Sequence, residues 1–257
     1  MLDLFHWEPH GACARVMICL EEKGLQYSSR YVDVLAFEQY RPEFLQLNDA
    51  GQVPVLVQDG LAYVEASATC EYLEEAFAAR PLMPRQPAGR WRVRVWQKYV
   101  DDGFAASVTD LAWQAHGARG LQARALEPAA LHSAIDRIPV APRRAAWQAA
   151  VAGLDAERLA RARQRIAASV EHIEAQLAGS PWLAGPEYSL ADIAVFSYFK
   201  YLPALFPTVL NGDAAPRSLD WMRRVEARPA VRAALARGRR GDPFTISAPG
   251  PEYVRWG

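Results

Sequence analysis

Two stretches of the chain combine residue types that could do chemistry. The first is Pro9-His10-Gly11-Ala12-Cys13, an imidazole and a thiol at the start of the helical run CARVMICLEEKG. A helix N-terminus offers unpaired amides and a partial positive charge, which stabilise a thiolate or another anion. Cys13 therefore reads either as a reactive thiol or as a small buried residue, and His10 either as a ligand contact or as a solvated turn residue. The second stretch is Gln52-Val53-Pro54, followed by Glu65-Ala66-Ser67. Pro54 has no backbone N–H and its peptide bond tolerates the cis form, so the turn can aim the amide and carbonyl of Val53 outward. Outward backbone groups beside a helix N-terminus suit a peptide with carboxylates. A plain turn before a hairpin is the structural alternative.

The elements that must hold these stretches can be read from spacing. Val55 to Val57 and Leu61 to Val64 are β-rich runs joined at Asp59-Gly60, a pair that tolerates the positive φ of a type I′ hairpin, and the helical EASATCEYLEEAF follows. Upstream, Leu2 to Trp7 alternates as a strand. The next helix carries Val16, Cys19, Leu20 and Lys23 on one stripe and closes at Gly24. Gln26 to Val34 reads as a strand and Pro42 to Leu47 as a short helix. The order β-α-β-α-β-β-α resembles a thioredoxin-like fold, an α/β domain with a mixed four-stranded sheet over residues 1–80. Three prolines and no periodicity mark 79–90, so a linker is expected at 81–90. From Trp91 the pattern is helical, which predicts an all-α bundle over 91–240. Trp91, Val95, Tyr99, Phe104, Val108, Leu111 and Trp113 form an apolar stripe for a core or a cleft. Asp155 to Ala178 is the most regular helix, Ser189-Leu190-Ala191-Asp192 reads as a capping box, and the segment around Pro139 and Pro142 reads as a partly helical insertion. Residues 241–257, rich in Gly and Pro, are expected as an extended tail.

Composition narrows the function classes. The chain has 257 residues, 51% hydrophobic, with Lys+Arg and Asp+Glu both 29, so the formal charge is zero. Enough apolar surface is available for a sizeable core, and nothing points to nucleic acid or an anionic membrane as a partner. No apolar run approaches the roughly 18 residues of a membrane span, and no signal-peptide pattern opens the sequence. Three cysteines without metal-ligand spacing fit free thiols in a reducing compartment, so a cytoplasmic location without a metal is expected.

GQVPVL, followed eleven residues after the proline by Glu65 and then by CEYLEEAF, resembles the glutathione-binding half of the glutathione transferase superfamily. GPEYSLADI and WMRRVEARPAVRAAL resemble its helical half. CEYLEEAF, VRVWQKYVDDGF, IDRIPVAPRRAAW and YSLADI together resemble one branch, the bacterial β-aryl etherases related to the fungal Fu class. The resemblance implies that Val53, before a cis-proline, pairs with the cysteinyl backbone of glutathione, and that Glu65 and its neighbours hold the γ-glutamyl end. Three departures stand out: Asp49 replaces a proline, Thr69 an isoleucine and Ala66 a serine. The loss at Ala66 removes one hydroxyl contact, which Ser67 replaces only if the helix start is shifted.

What the resemblance implies chemically is a glutathione transferase. The bound thiolate attacks an electrophilic carbon of an aromatic, β-aryl-ether-like substrate and expels a leaving group. Glutathione's thiol, with a pKa near 8.5, must be ionised, and His10, the Gly11 and Ala12 amides and Cys13 stand where that help would come from. Gln39 and Tyr40 fall where related enzymes contact the glycyl carboxylate, with Arg41 the nearest permanent charge and Gln52 beside the same end. Trp7, Tyr99, Phe104 and Trp113 are candidates for the acceptor pocket, although such a stripe can equally be core. Partners implied are glutathione as co-substrate, a hydrophobic aromatic small molecule and a second copy of the chain. Two other readings stay open: an omega-like thiol transferase using Cys13 covalently, and a non-catalytic binding protein on the same fold.

Overall fold

A computed structural model describes residues 1–117 and 128–239. In the first third, the alternation of Leu2, Leu4 and His6 against Asp3 and Phe5 makes β1 (Leu2–His6) a strand with one fully buried face. It is followed by α1 (Gly11–Lys23), β2 (Ser28–Tyr31), α2 (Pro42–Leu45), β3 (Val55–Gln58), β4 (Leu61–Tyr63) and α3 (Ala66–Ala76). The sheet order is β2-β1-β3-β4, with β1 and β2 parallel and the β1–β3 and β3–β4 pairs antiparallel. This is the mixed sheet expected. Asp59 and Gly60 take φ of 51° and 83° in the hairpin, and Gly24 closes α1 with φ 67°. The α1 and α3 side of the sheet joins the main core through Leu4, Leu20, Leu56 and Leu73, while Val32, Phe44 and Val55 form a smaller cluster on the other side. The strand read over Gln26 to Val34 shortens to Ser28–Tyr31, because Val34–Ala36 and Glu38–Tyr40 turn as 3₁₀ segments; Asp33 caps the first of them.

The remainder is helical: α4 (Pro87–Tyr99), α5 (Ala105–Ala112), α6 (Pro128–Asp136), α7 (Ala141–Ala152), α8 (Ala156–Gly179), α9 (Leu190–Phe199), α10 (Leu202–Leu205), α11 (Pro216–Glu226) and α12 (Pro229–Leu235). Proline at the first position lets α4 begin at Pro87, earlier than Trp91. The stripe expected on α4 is out of phase. Val93, Trp96 and Val100 are buried against α9, whereas Trp91 and Val95 are 64% and 46% exposed. Tyr99, Phe104, Val108, Leu111 and Trp113 do turn inward, because a π-type turn over Val100–Phe104 rotates the face between α4 and α5. Gly103 lies within that turn, beside the Arg165 guanidinium.

Asp155 caps α8, and the Ser189–Asp192 capping box opens α9. α1 packs against both α9 and α12, so the sheet layer and the bundle share one core. Lys23 Nζ donates to Glu74 at 2.7 Å in the interior, and Glu74 also accepts the Leu82 and Met83 amides, which pins the connection between α3 and α4. The insertion forms α6 and α7. Trp147 of α7 packs on Phe37 and donates to Tyr40 Oη at 3.3 Å, and Arg143 donates to the Ala50 carbonyl. No helix among the described residues is long and apolar enough to cross a membrane. The tail expected at 241–257 lies outside the described residues.

Candidate active site

Three local structures converge where β3 meets the first turns of α1 and α3. Asn48 is buried, donates to the Gln52 carbonyl at 2.9 Å and accepts the Ala50 amide at 3.2 Å, so the loop before the strand is held by its own side chain. That loop delivers Gln52, Val53 and Pro54, and the Val53–Pro54 peptide is cis. After the hairpin, Glu65 adopts φ 66° and ψ 107°, a backbone region that costs a side chain about 1–3 kcal/mol. The sharp change of direction starts α3 at Ala66, leaving first-turn amides unbonded within the helix. At α1, His10 is the N-cap residue but its side chain makes no capping bond. Gly11, with φ 53°, lets the Tyr198 ring approach closely, since a Cβ there would meet that ring at 2.9 Å.

These pieces line a shallow cleft that is open to solvent. Asn48, Gln52, Val53, Pro54, Glu65 and Ala66 form one wall; Ala12 and Arg15 of α1, Asp101, Ala105 and Tyr198 form the other. The starts of α1 and α3 both border this cleft and offer it first-turn amides and a partial positive charge, which favour an anion. Among the described residues, no group of three or more His, Cys, Asp or Glu could hold a metal ion.

Several expected residues stand elsewhere. Cys13 is 4% exposed and its Sγ accepts the Trp7 amide at 3.4 Å, so the thiol faces the core and not the cleft. His10 does not line the cleft either. Its ring lies 4.7 Å from that of Tyr201 and 6.1 Å from that of Tyr198, and Nδ1 is enclosed without a partner among the described residues. Burial, reinforced by Lys200, holds its pKa down to about 4, so the ring is neutral near pH 7. Gln39 is buried and donates to the Val34 carbonyl; Arg41 is exposed and pairs with Glu38; neither reaches the cleft. Both are held by local partners in the 3₁₀ segments, while Trp147 of α7 packs on the neighbouring Phe37 and Tyr40. The Ser67 hydroxyl donates to Asp101. The aromatic candidates are packing groups. Trp7 lies against Tyr31, Tyr99 bonds Ser169 and stacks on Phe104, and Trp113 donates to the Ala150 carbonyl at 2.9 Å.

The cleft also contains groups not singled out from the sequence: Arg15, Asn48, Asp101, Ala105 and Tyr198. Arg15 had a visible signal, since a lone arginine inside the otherwise apolar run Ala14 to Leu20 must be paired if it is buried. It is buried, and Nη1 donates to Asp101 Oδ1 at 2.7 Å. Its pKa is raised: burial works against the charge, and the Asp101 carboxylate outweighs it. Asp101, Ala105 and Tyr198 had no signal, because the π-type turn and the α9 register bring them in from far along the chain.

Comparison with known proteins follows the same two halves. Residues 12–76 match the family model described as glutathione S-transferase, N-terminal domain, and residues 137–229 match glutathione S-transferase, C-terminal domain. The chain is 30% identical over 246 residues to Protein LigF of Sphingobium sp. strain SYK-6, covering 94% of this chain and 95% of that one. The crystal structure of β-etherase LigF superposes with TM-score 0.86 over 91% of this chain and 98% of that one. Glutathione S-transferase 3 of Zea mays is 30% identical over 86% of this chain and 87% of its own length. A glutathione transferase homologue from Sulfitobacter, solved with bound glutathione, shares the fold at TM-score 0.66 and 22% identity, covering 91% of this chain and 96% of that one.

Proposed function

The chain belongs to the glutathione S-transferase family, and from that premise we propose that its cleft binds glutathione, lowers the thiol pKa and directs the thiolate at an electrophilic aromatic substrate. The observation that carries this reading is the cleft itself: the Gln52-Val53-Pro54 backbone set between the starts of α1 and α3. The Val53 amide and carbonyl would pair with the cysteinyl backbone, with Gln52, Glu65 and Ala66 around the tripeptide. The sulfur would then lie at the α1 start beside Ala12, where first-turn amides and helix dipole favour the charged form. Lowering the thiol pKa from about 8.5 by about two units supplies roughly 2.7 kcal/mol and makes thiolate the main species at pH 7. Neither Cys13 nor the neutral His10 is needed for that step.

For the second substrate we favour a β-aryl ether ketone. The support is the end-to-end likeness to LigF, whose structure is titled a β-etherase. Sulfur attacks the carbon β to the aryl group, the carbon–oxygen bond breaks, and phenolate leaves with the electron pair, giving a glutathione thioether. Access would be past Ala105 and Tyr198, the cleft residues on the bundle side. Leu61, Trp91 and Val95 are large apolar side chains exposed on β4 and α4, which supports a homodimer. Buried free thiols suit a cytoplasmic enzyme. The test is a single incubation with glutathione and a model β-aryl ether, followed for phenol release and thioether. Both products are expected in equal amounts. Conjugation of a general aromatic electrophile without ether cleavage would contradict the etherase reading, and no conjugation at all would contradict the transferase reading.

A further inference from the structure

The loop that presents Val53 has little stiffness of its own. The Gly51 amide donates to the Asn48 carbonyl at 3.0 Å, so residues 48–51 form a β-turn with Asp49 at its second position. Proline suits that position because its ring fixes φ, whereas aspartate leaves φ free. Gly51 then takes φ 59°, and the residue type that reaches this region without strain is also the most mobile in the backbone. Asn48 braces the turn from within, through the Gln52 carbonyl and the Ala50 amide. Further contacts reach it from α7, on the far side of the chain.

Arg143 and Trp147 stand four residues apart on α7, neighbours on one face of the helix. Arg143 is 5% exposed, and its Nε donates to the Ala50 carbonyl at 3.3 Å. A guanidinium buried to this degree must be hydrogen-bonded, which fixes the length and direction of the tie. Trp147 is fully buried, and its indole N–H donates to Tyr40 Oη at 3.3 Å. The Tyr40 ring in turn presses on the loop, since a Cβ at Gly51 would stand 2.5 Å from it. Two consecutive loop residues are thus held from one helix. That helix is itself fixed to the bundle: Trp147 meets the Trp113 ring edge-on at 5.7 Å, and the Trp113 indole donates to the Ala150 carbonyl.

We propose that α7 is a clamp on the glutathione loop: Arg143 on Ala50, and Trp147 through Tyr40 on Gly51, fix the turn that aims the Val53 amide and carbonyl into the cleft; this rests on the reading that the cleft takes glutathione. Both are positioning residues. Neither is among the residues that line the cleft, and neither touches a reacting atom. The clamp sets affinity and leaves ionisation alone, because the start of α1 belongs to the opposite wall.

The experiment titrates the full chain with glutathione by calorimetry and, in parallel, follows thiolate absorbance across pH. Arg143→Met keeps the aliphatic stem and removes the bond to Ala50; Trp147→Phe keeps a ring against Phe37 and Trp113 and removes the bond to Tyr40. Each should weaken glutathione binding about fivefold while the pKa of the bound thiol stays at its wild-type value. Arg143→Lys, which can still donate to the Ala50 carbonyl, should lose less than about twofold. Gln148→Ala, on the same helix but bonded to Asp136 of α6, should also stay within about twofold of the wild type. Each of the first two variants tests its own contact, so either one, folded and with unchanged affinity, would overturn the clamp. Equal losses in Gln148→Ala, or a thiol pKa that moves with the affinity, would overturn it too, since general loosening of the fold gives that pattern. Failure of glutathione to bind the wild type is a different result and would overturn the proposed function with it.

Discussion

Glu65 pays a backbone penalty that glycine would not, since a residue without Cβ takes φ 66° freely. Glu65→Gly should therefore unfold at a denaturant concentration equal to or above that of the wild type, while binding glutathione about tenfold more weakly through loss of the carboxylate. A variant that is clearly less stable would show that Glu65 is not strained. His10 makes a prediction in pH. The folded state keeps the ring neutral down to about 4, whereas the unfolded chain takes up a proton near 6.5. Between those values the unfolded state binds more protons, so this group's contribution is complete above 6.5 and is lost as pH falls toward 4, by up to about 3 kcal/mol. His10→Phe should then gain stability over the wild type increasingly from pH 7 to pH 4.5 in urea melts; a constant difference would contradict the burial of Nδ1. Of the residues that line the cleft, Gln52, Val53, Pro54, Glu65 and Ala66 were legible because they lie in one continuous stretch around a hairpin. Cys13 and His10 were ambiguous for a physical reason: a helix start can turn a side chain to core or cleft, and spacing alone does not fix which.

At the scale of elements, the capping box is the clearest case of local sequence fixing tertiary structure. Asp192 accepts the Ser189 amide and hydroxyl, and also the Leu183 amide and the Trp221 indole N–H at 2.9 Å, so a helix cap ties three segments together. Burial pushes its carboxyl up to about 6, against hydrogen bonds that favour the charged form. Asp192→Ala leaves several buried donors unpaired and should cost about 3 kcal/mol or more in a denaturant melt; a loss under about 1 kcal/mol would contradict that role. The helical phase of α4 was read wrongly because Trp91, Val95 and Tyr99, four apart, and Val93, Trp96 and Val100, three and four apart, both fit one face of a helix. Only contact with α9 decides which face is inside. The insertion was legible as helical, but its effect was not. Trp147 packs on Phe37 and bonds Tyr40, contacts across more than a hundred residues that no local spacing announces.

For the whole molecule, the two halves meet through charge as well as apolar packing. Arg15 and Ser67 come from the sheet layer and Asp101 from the bundle, so the cleft is completed only when both are docked. The exposed Trp91 and Val95 belong to this scale as well. If they form a homodimer contact, Trp91→Glu should shift the mass measured by light scattering from two copies to one; an unchanged mass would place the contact elsewhere. The central claim is that glutathione binds between the starts of α1 and α3 and ionises there without help from a protein thiol. It is tested most directly by titrating glutathione against the wild type and Cys13→Ser while following thiolate absorbance in the ultraviolet across pH. A saturable signal with the thiol pKa lowered by about two units in both proteins is the predicted result. A signal that disappears in Cys13→Ser, or is absent from both, would contradict it.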